Sequence, residues 1–118
     1  ANIHFTGALS QQELLQHYHT AGVHVLPSWF ETTGLSTLEA AACGCQVVIG
    51  KYGDAQEYVG NAAWVCDPAL PHSIRQAVDA AAATPISHEL SAHVQQNFTW
   101  TKAAQRTLQV YQQVVQTA

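Results

Sequence analysis

The stretch that decides the fold runs Val23-His24-Val25-Leu26-Pro27-Ser28-Trp29-Phe30-Glu31-Thr32-Thr33-Gly34-Leu35-Ser36-Thr37-Leu38-Glu39-Ala40-Ala41-Ala42-Cys43-Gly44-Cys45-Gln46-Val47-Val48-Ile49-Gly50. Val23 to Leu26 has the length and β-branching of a strand, and Pro27 with Ser28 ends it because proline offers no amide to a ladder. Gly34 to Cys43 reads as a helix, with Leu35, Leu38, Ala41 and Ala42 on adjoining turns and Gly44 as its stop. Gln46 to Ile49 is a second apolar strand. A strand, a helix and a strand in such close succession predict two parallel strands joined by a crossover.

The same rhythm extends outward. Asn2 to Thr6 alternates like a strand and stops at Gly7. Ser10 caps a helix over Gln11 to Ala21 that carries Leu14, Leu15 and Tyr18 on one face, and Gly22 closes it in a left-handed position. Beyond Gly50 and Gly53, a short helix over Ala55 to Val59 leads to a strand at Ala63 to Val65, stopped by Asp67-Pro68. Helices then follow over Pro71 to Ala83, Ser87 to Gln96 and Thr101 to Gln116, broken at Pro85 and Asn97-Phe98-Thr99. The predicted class is α/β, a doubly wound parallel sheet of Rossmann-like kind: residues 1–68 supply the strand and helix alternation, and residues 69–118 the closing helices. Ligands of such sheets sit beyond the carboxyl ends of the strands, so Gly7 to Ser10, Pro27 to Leu35 and Gly50 to Glu57 are the loops that matter.

A chain of 118 residues holds one core, and 47% hydrophobic against 10% charged residues makes it a well-packed globule and not a disordered segment. The net charge of -4 leaves four basic residues, Lys51, Arg75, Lys102 and Arg106, scattered without a stripe, which argues against nucleic acid. Three cysteines, with Cys43 and Cys45 only two apart, read as reduced, packed thiols. His17 and His19 point to different faces of one helix and His24 lies in a strand, so no metal is expected. No apolar run is long enough to cross a bilayer. The expected setting is the cytoplasm, with the inner membrane surface as the alternative. Because the chain enters a strand-like run at once, it reads as part of something larger.

The chemistry concentrates at the exit of the Val23 strand. Glu31 lies in the loop, and Glu39 lies ~7.5 Å along the helix axis from Gly34. Between them the helix start presents the amides of Gly34, Leu35 and Ser36 and the positive end of its dipole, a seat for phosphate, and Gly34 lets an anion come close to the backbone. Two carboxylates flanking an anion seat suit a nucleoside diphosphate sugar, whose hydroxyls donate to acids. The competing reading is structural: Ser36 and Glu39 have the spacing of a capping box, and Glu31 is then a solvated loop residue.

Pro27-Ser28, Glu31, seven residues, Glu39-Ala40, Ala42-Cys43-Gly44 and Val47-Val48 together resemble the Glu-x7-Glu signature of glycosyltransferase family 4, the retaining glycosyl transferases group 1, which have the GT-B fold. Phe5-Thr6-Gly7, Glu57-x-Val59-Gly60, Asp67-Pro68, Phe98-Thr99-Trp100 and Tyr111 extend the likeness over the whole chain, as the later part of the C-terminal, donor-binding domain. The resemblance implies that Glu31 contacts hydroxyls of the transferred sugar at the catalytic position, without assigning it as a nucleophile. It implies further that Gly34, Leu35 and Ser36 hold the diphosphate and Glu39 the ribose, while Gly7 and Leu9 lie against the base. A UDP- or GDP-sugar is then the donor, the acceptor is open, no metal or other cofactor is needed, and configuration is retained. The cationic pair that neutralises the diphosphate and the acceptor domain belong upstream, so this segment by itself is expected to be inactive.

Four positions depart from the family pattern: Thr32 and Thr33, Gln46 in place of a common proline, and Asp54 after Gly53. They bear on donor identity. Lys51, at a strand exit, is a candidate replacement cation, although a solvated lysine is the simpler reading. In the sheet order 3-2-1-4-5-6 the chain supplies strands 3 to 6, leaving the first without neighbours. The sheet is therefore expected to rearrange, or to form a homo-oligomer through an exposed edge or the apolar face of the last helix, where Leu108, Tyr111 and Val115 line up. A non-catalytic nucleotide-binding or protein-interaction module of the same class is the alternative function.

Overall fold

The structure, a computed structural model, describes residues 2–118. Three strands, β1 (Val23–Leu26), β2 (Gln46–Gly50) and β3 (Trp64–Cys66), form a parallel sheet in the order β1-β2-β3. Around it lie α1 (Gln11–Thr20), α2 (Leu35–Ala42), α3 (Ala55–Val59), α4 (Pro71–Ala83), α5 (Glu89–Asn97) and α6 (Trp100–Thr117), with a 3-10 turn over Gly60–Ala62. The α/β class and the alternation read from the sequence are what the structure has. Strand β3 sits one residue later than its predicted bounds.

Central β2 explains the layering. Val47 and Ile49 pack on one face against Ala41, Ala55, Val59, Leu90 and Val94 of α2, α3 and α5, while Val48 faces Ala77 and Ala81 of α4 on the other. Side chains alternate across a strand, so a strand covered on both faces becomes a continuous apolar run, as Val47-Val48-Ile49 is. Helix α1 packs on α2 through Tyr18, Ala40 and Cys45. Its start carries a full capping box, in which Ser10 accepts from the Glu13 amide and the Glu13 carboxylate accepts from the Ser10 amide.

Two local expectations are corrected. Gly22 is not left-handed: α1 ends at Ala21 in extended conformation, and the Gly22 carbonyl accepts from the Gln46 amide, so the residue belongs to the strand entry. Asn2 to Thr6 forms no strand; Ile3 is 73% and Phe5 97% exposed. Alternation specifies which face a residue would take, but a strand exists only against a partner, and β1 pairs with β2 alone among the described residues. The sheet therefore neither rearranges nor takes in the first segment. Its three strands keep their sequential order, and the outer edge of β1 pairs with no other strand among the described residues.

Helix α6 projects from this body with no buried residue along its length. Thr99 caps its start by accepting from the Lys102 amide.

Candidate functional site at the carboxyl ends of β1 and β2

Two glycines join the loops that leave β1 and β2. A methyl group on Gly50 would stand 2.2 Å from the Ser28 carbonyl oxygen, and one on Gly53 would stand 2.3 Å from the Glu31 oxygen and 2.6 Å from its nitrogen. Only bare backbone fits at either place. Gly53 is also left-handed, at φ +86°, and the next amide, of Asp54, donates to the Glu31 carbonyl at 2.8 Å. The β2 loop thus holds Glu31 by its backbone. In the sequence Gly50 and Gly53 mark only a loop; the close backbone approach they permit cannot be told from composition.

Gly34 follows Glu31 as the N-cap of α2 in the left-handed conformation, with φ 62° and ψ 54°. It lies under the acid, since a methyl there would be 3.5 Å from the Glu31 Cγ and 3.7 Å from the Thr37 hydroxyl. The Gly34 carbonyl accepts from Thr37 and Leu38, which leaves the amides of Leu35 and Ser36 at the open start of the helix. No side chain caps this end. The capping-box alternative for Ser36 and Glu39 is therefore not realised: α2 begins one residue before Ser36, and Glu39 is spared for other contacts. Leu35 is 57% exposed and Ser36 half-buried, while Gly34 itself is buried between Glu31 and Thr37.

Glu39, half-buried one turn further on, faces a different neighbourhood from Glu31. It raises the proton affinity of the Tyr18 hydroxyl and the Cys43 thiol, each displaced upward chiefly by burial and secondarily by the Glu39 charge. It also lines an open cleft of about 570 Å³ together with Leu35, Leu38, Phe98, Trp100 and Arg106. That cleft shares Thr33, Leu35 and Glu39 with the β1 exit but not Glu31, Gly34 or Ser36, so it lies beside the start of α2 and not over it. Gly7, at φ +66°, and Leu9 sit in the extended segment before α1, with no hydrogen bond to α2 among the described residues. The structure thus brings together Glu31, Gly34, Leu35 and Ser36 and sets Glu39 on the flank.

Lys51 is solvent-exposed, as the simpler reading had it, and is paired with an acid. Its ammonium donates to Asp67 at 2.6 Å and stands 4.9 Å from the Tyr52 ring centre. That hydrogen bond holds Lys51 above the usual lysine range and Asp67 below the usual carboxylate range. One of the departures from the family pattern, Gln46, also has a local role. Gln46 donates through Nε2 to the Ala81 and Thr84 carbonyls at 2.7 and 2.6 Å, closing the end of α4, and its Oε1 accepts from the Trp64 indole at 3.0 Å. A position that seemed from the pattern to bear on the donor is a brace between sheet and helix.

Sequence reasoning missed one further contact. His24 on β1 and the buried Thr37 of α2 are 3.2 Å apart through Nε2 and the hydroxyl, tying the start of α2 to the sheet. Burial lowers the proton affinity of His24, and Tyr18 packs edge-on against the imidazole at 5.9 Å. Among the described residues, no three His, Cys, Asp or Glu side chains gather closely enough to hold a metal ion, and no helix is long and apolar enough to cross a membrane.

A glycogen synthase of Mycobacterium tuberculosis is 36% identical over 91% of this chain and 28% of its own length. An O-antigen chain mannosyltransferase B of Escherichia coli is 29% identical over 92% of this chain and 30% of its own. The solved sucrose-phosphate synthase of Thermosynechococcus elongatus is 27% identical and superposes with a TM-score of 0.83 over 98% of this chain and 31% of that one. The chain spans under a third of the length of each of these relatives. Its sheet and helices are those of a Rossmann-like part of the GT-B architecture. With residues 1–105 matching the family described as Glycosyl transferases group 1, the chain belongs to that family.

Proposed function

We propose that this chain is the nucleotide-sugar-binding part of a retaining glycosyltransferase of family 4, which moves a sugar from a UDP- or GDP-sugar to an acceptor. The observation that carries the reading is the start of α2: a left-handed Gly34, open amides at Leu35 and Ser36, and Glu31 folded over the glycine. A diphosphate would rest on those amides, where the helix dipole favours negative charge by roughly 0.3–1 kcal/mol and each charge-assisted hydrogen bond adds to it. Glu31 would accept from hydroxyls of the transferred sugar, and Glu39 from the ribose. Leaving-group stabilisation by fixed donors is an electrostatic form of catalysis and asks for no resident metal. With Lys51 engaged by Asp67, the cations that neutralise the departing diphosphate come from outside this chain. Three free thiols are in keeping with a reducing, cytoplasmic setting.

The test is a pair of variants in the full-length protein, Glu39→Gln and Ser36→Pro. Glu39→Gln keeps the shape and removes the charge, so donor affinity should fall about tenfold, or ~1.4 kcal/mol, with the melting temperature unchanged. Ser36→Pro removes one amide at the second helical position, where proline is tolerated, and should weaken nucleoside diphosphate and nucleotide sugar alike. Normal binding of UDP- and GDP-sugars by both variants would refute the assignment. Binding of nucleotide without any sugar transfer would favour the non-catalytic module.

A further inference from the structure

Trp29 and Tyr52 leave the ends of β1 and β2 side by side, flanking Glu31 in the sequence of the first loop and Gly53 in that of the second. Their rings are stacked, 6.0 Å apart between centres and inclined by 12°. Trp29 is nonetheless 63% exposed, although it is among the largest apolar side chains of the molecule. The loops beneath it are fixed by the contacts of Gly50 with Ser28 and Gly53 with Glu31, and Lys51, held by Asp67, stands over the Tyr52 ring. A large aromatic surface is therefore presented to solvent in a fixed orientation, two residues from a carboxylate and at the end of the sheet where ligands enter.

We infer that Trp29, backed by Tyr52, is a stacking platform for the pyranose ring of a saccharide that enters beside Glu31. The inference deepens the sugar-transfer reading and rests on it. A pyranose has a face of C–H groups made slightly positive by the neighbouring oxygens, and that face suits the negative face of an indole. Its hydroxyls project from the ring edge, where a carboxylate accepts them. Glu31 beside Trp29 supplies both halves of that recognition. Pre-stacking on Tyr52 means that little side-chain freedom remains to be lost when the ring is covered. The ring is that of the donor sugar or of the acceptor, which share this chemistry.

The experiment uses the full-length protein, its Trp29→Ala and Trp29→Phe variants, and two kinds of probe followed by ligand-observed NMR and tryptophan fluorescence. Methyl α-glucopyranoside and methyl α-mannopyranoside report on a free ring. UDP-glucose and GDP-mannose, against UDP and GDP alone, report on a ring attached to the donor. Trp29→Ala should weaken the saccharide by about tenfold and Trp29→Phe by only two- to threefold, with unchanged melting because the indole is exposed. Loss confined to the nucleotide sugars, with UDP and GDP unaffected, assigns the ring to the donor. Loss confined to the methyl glycosides assigns it to the acceptor. Equal affinity of wild type and Trp29→Ala for every saccharide probe would overturn the platform, as would equal losses for UDP and UDP-glucose. If the wild type transfers no sugar at all, the proposed activity falls. The methyl glycoside titration then still decides the platform, since a wild-type response that Trp29→Ala abolishes supports it and an identical response overturns it.

Discussion

Replacing single glycines by alanine separates a backbone requirement from a contact requirement, and the two give different magnitudes here. Gly44, at φ +98°, has nothing within 4 Å of the position a methyl would take. Gly44→Ala should therefore cost only the left-handed penalty of roughly 1–2 kcal/mol, less ~0.4–1 kcal/mol from the stiffer unfolded chain. Gly53→Ala carries the same conformational cost at φ +86° and adds a methyl 2.3 Å from the Glu31 oxygen and 2.6 Å from its nitrogen. Neither atom is the end of a flexible side chain, so the loop itself must move, and the Asp54 hydrogen bond to Glu31 is lost for about another 1 kcal/mol. The total is about 2–4 kcal/mol. Gly50→Ala has no left-handed term, but its methyl meets the Ser28 oxygen at 2.2 Å, and overpacking of that severity costs about 1–3 kcal/mol. Urea unfolding of the full-length protein, with nucleotide-sugar affinity measured on each variant, reads both consequences. Gly44→Ala should bind donor normally; Gly50→Ala and Gly53→Ala should lose most of their affinity, because both displace the loop that carries Glu31. A Gly53→Ala variant as stable as Gly44→Ala and with unchanged donor affinity would refute the claim that this contact sets Glu31.

The remaining expectations concern contacts the sequence concealed. Gln46→Ala removes three hydrogen bonds and leaves the end of α4 to water, so a loss of about 1–3 kcal/mol in denaturant unfolding is expected, with no change in donor affinity. An altered donor preference would instead return Gln46 to the site. Lys51→Ala should change stability by less than about 1 kcal/mol, since the exposed pair with Asp67 is screened. Donor binding should be unaffected, and a tenfold loss would mean that Lys51 leaves Asp67 to reach phosphate. The lowered proton affinity of His24 makes stability fall as pH drops through the ordinary histidine range, because the unfolded chain takes up the proton first. His24→Gln should flatten that part of the pH profile of the melting temperature. The lowered Asp67 gives a second contribution of opposite location: it is present above the ordinary carboxylate value and is lost as pH falls through the folded one, and Asp67→Asn should remove it.

Wherever a pattern lies within one element, the sequence was a good guide to this molecule. Val47-Val48-Ile49 announces a doubly covered strand because burial on both faces leaves no polar alternate, and Ser10 announces the start of α1 because a helix exposes amides that a hydroxyl can satisfy. Asn2 to Thr6 misled for a complementary reason: its alternation is real, but whether a ladder forms depends on a neighbour that the pattern does not contain. Gly22 misled because a glycine after a helix is compatible both with a left-handed cap and with an extended strand entry, and the Gln46 amide selects the second. At the site, Gly34 between Glu31 and Glu39 was legible since spacing along one helix start fixes what the backbone offers.

What was hidden there are contacts between loops that are distant in sequence: Gly50 on Ser28, Gly53 on Glu31, Trp29 on Tyr52 and His24 on Thr37. All four act on the same short segment, Ser28 to Thr37: three restrain it from the end of β2 and the loop that follows, and the fourth from β1. A phosphate seat made of backbone amides has no side chain to adjust, so its geometry is only as good as the support of the segment that presents it. One departure from the family pattern follows the same logic. Gln46 braces α4 against the sheet through its own side chain, a contact that a proline there could not make. The amides and acids that would meet the ligand are kept. Donor selection is then to be sought where exposed side chains face the loop ends, in Trp29, Tyr52, Thr32 and Thr33, and exchanging those four should shift the preference between nucleotide sugars while exchanging Gln46 should not.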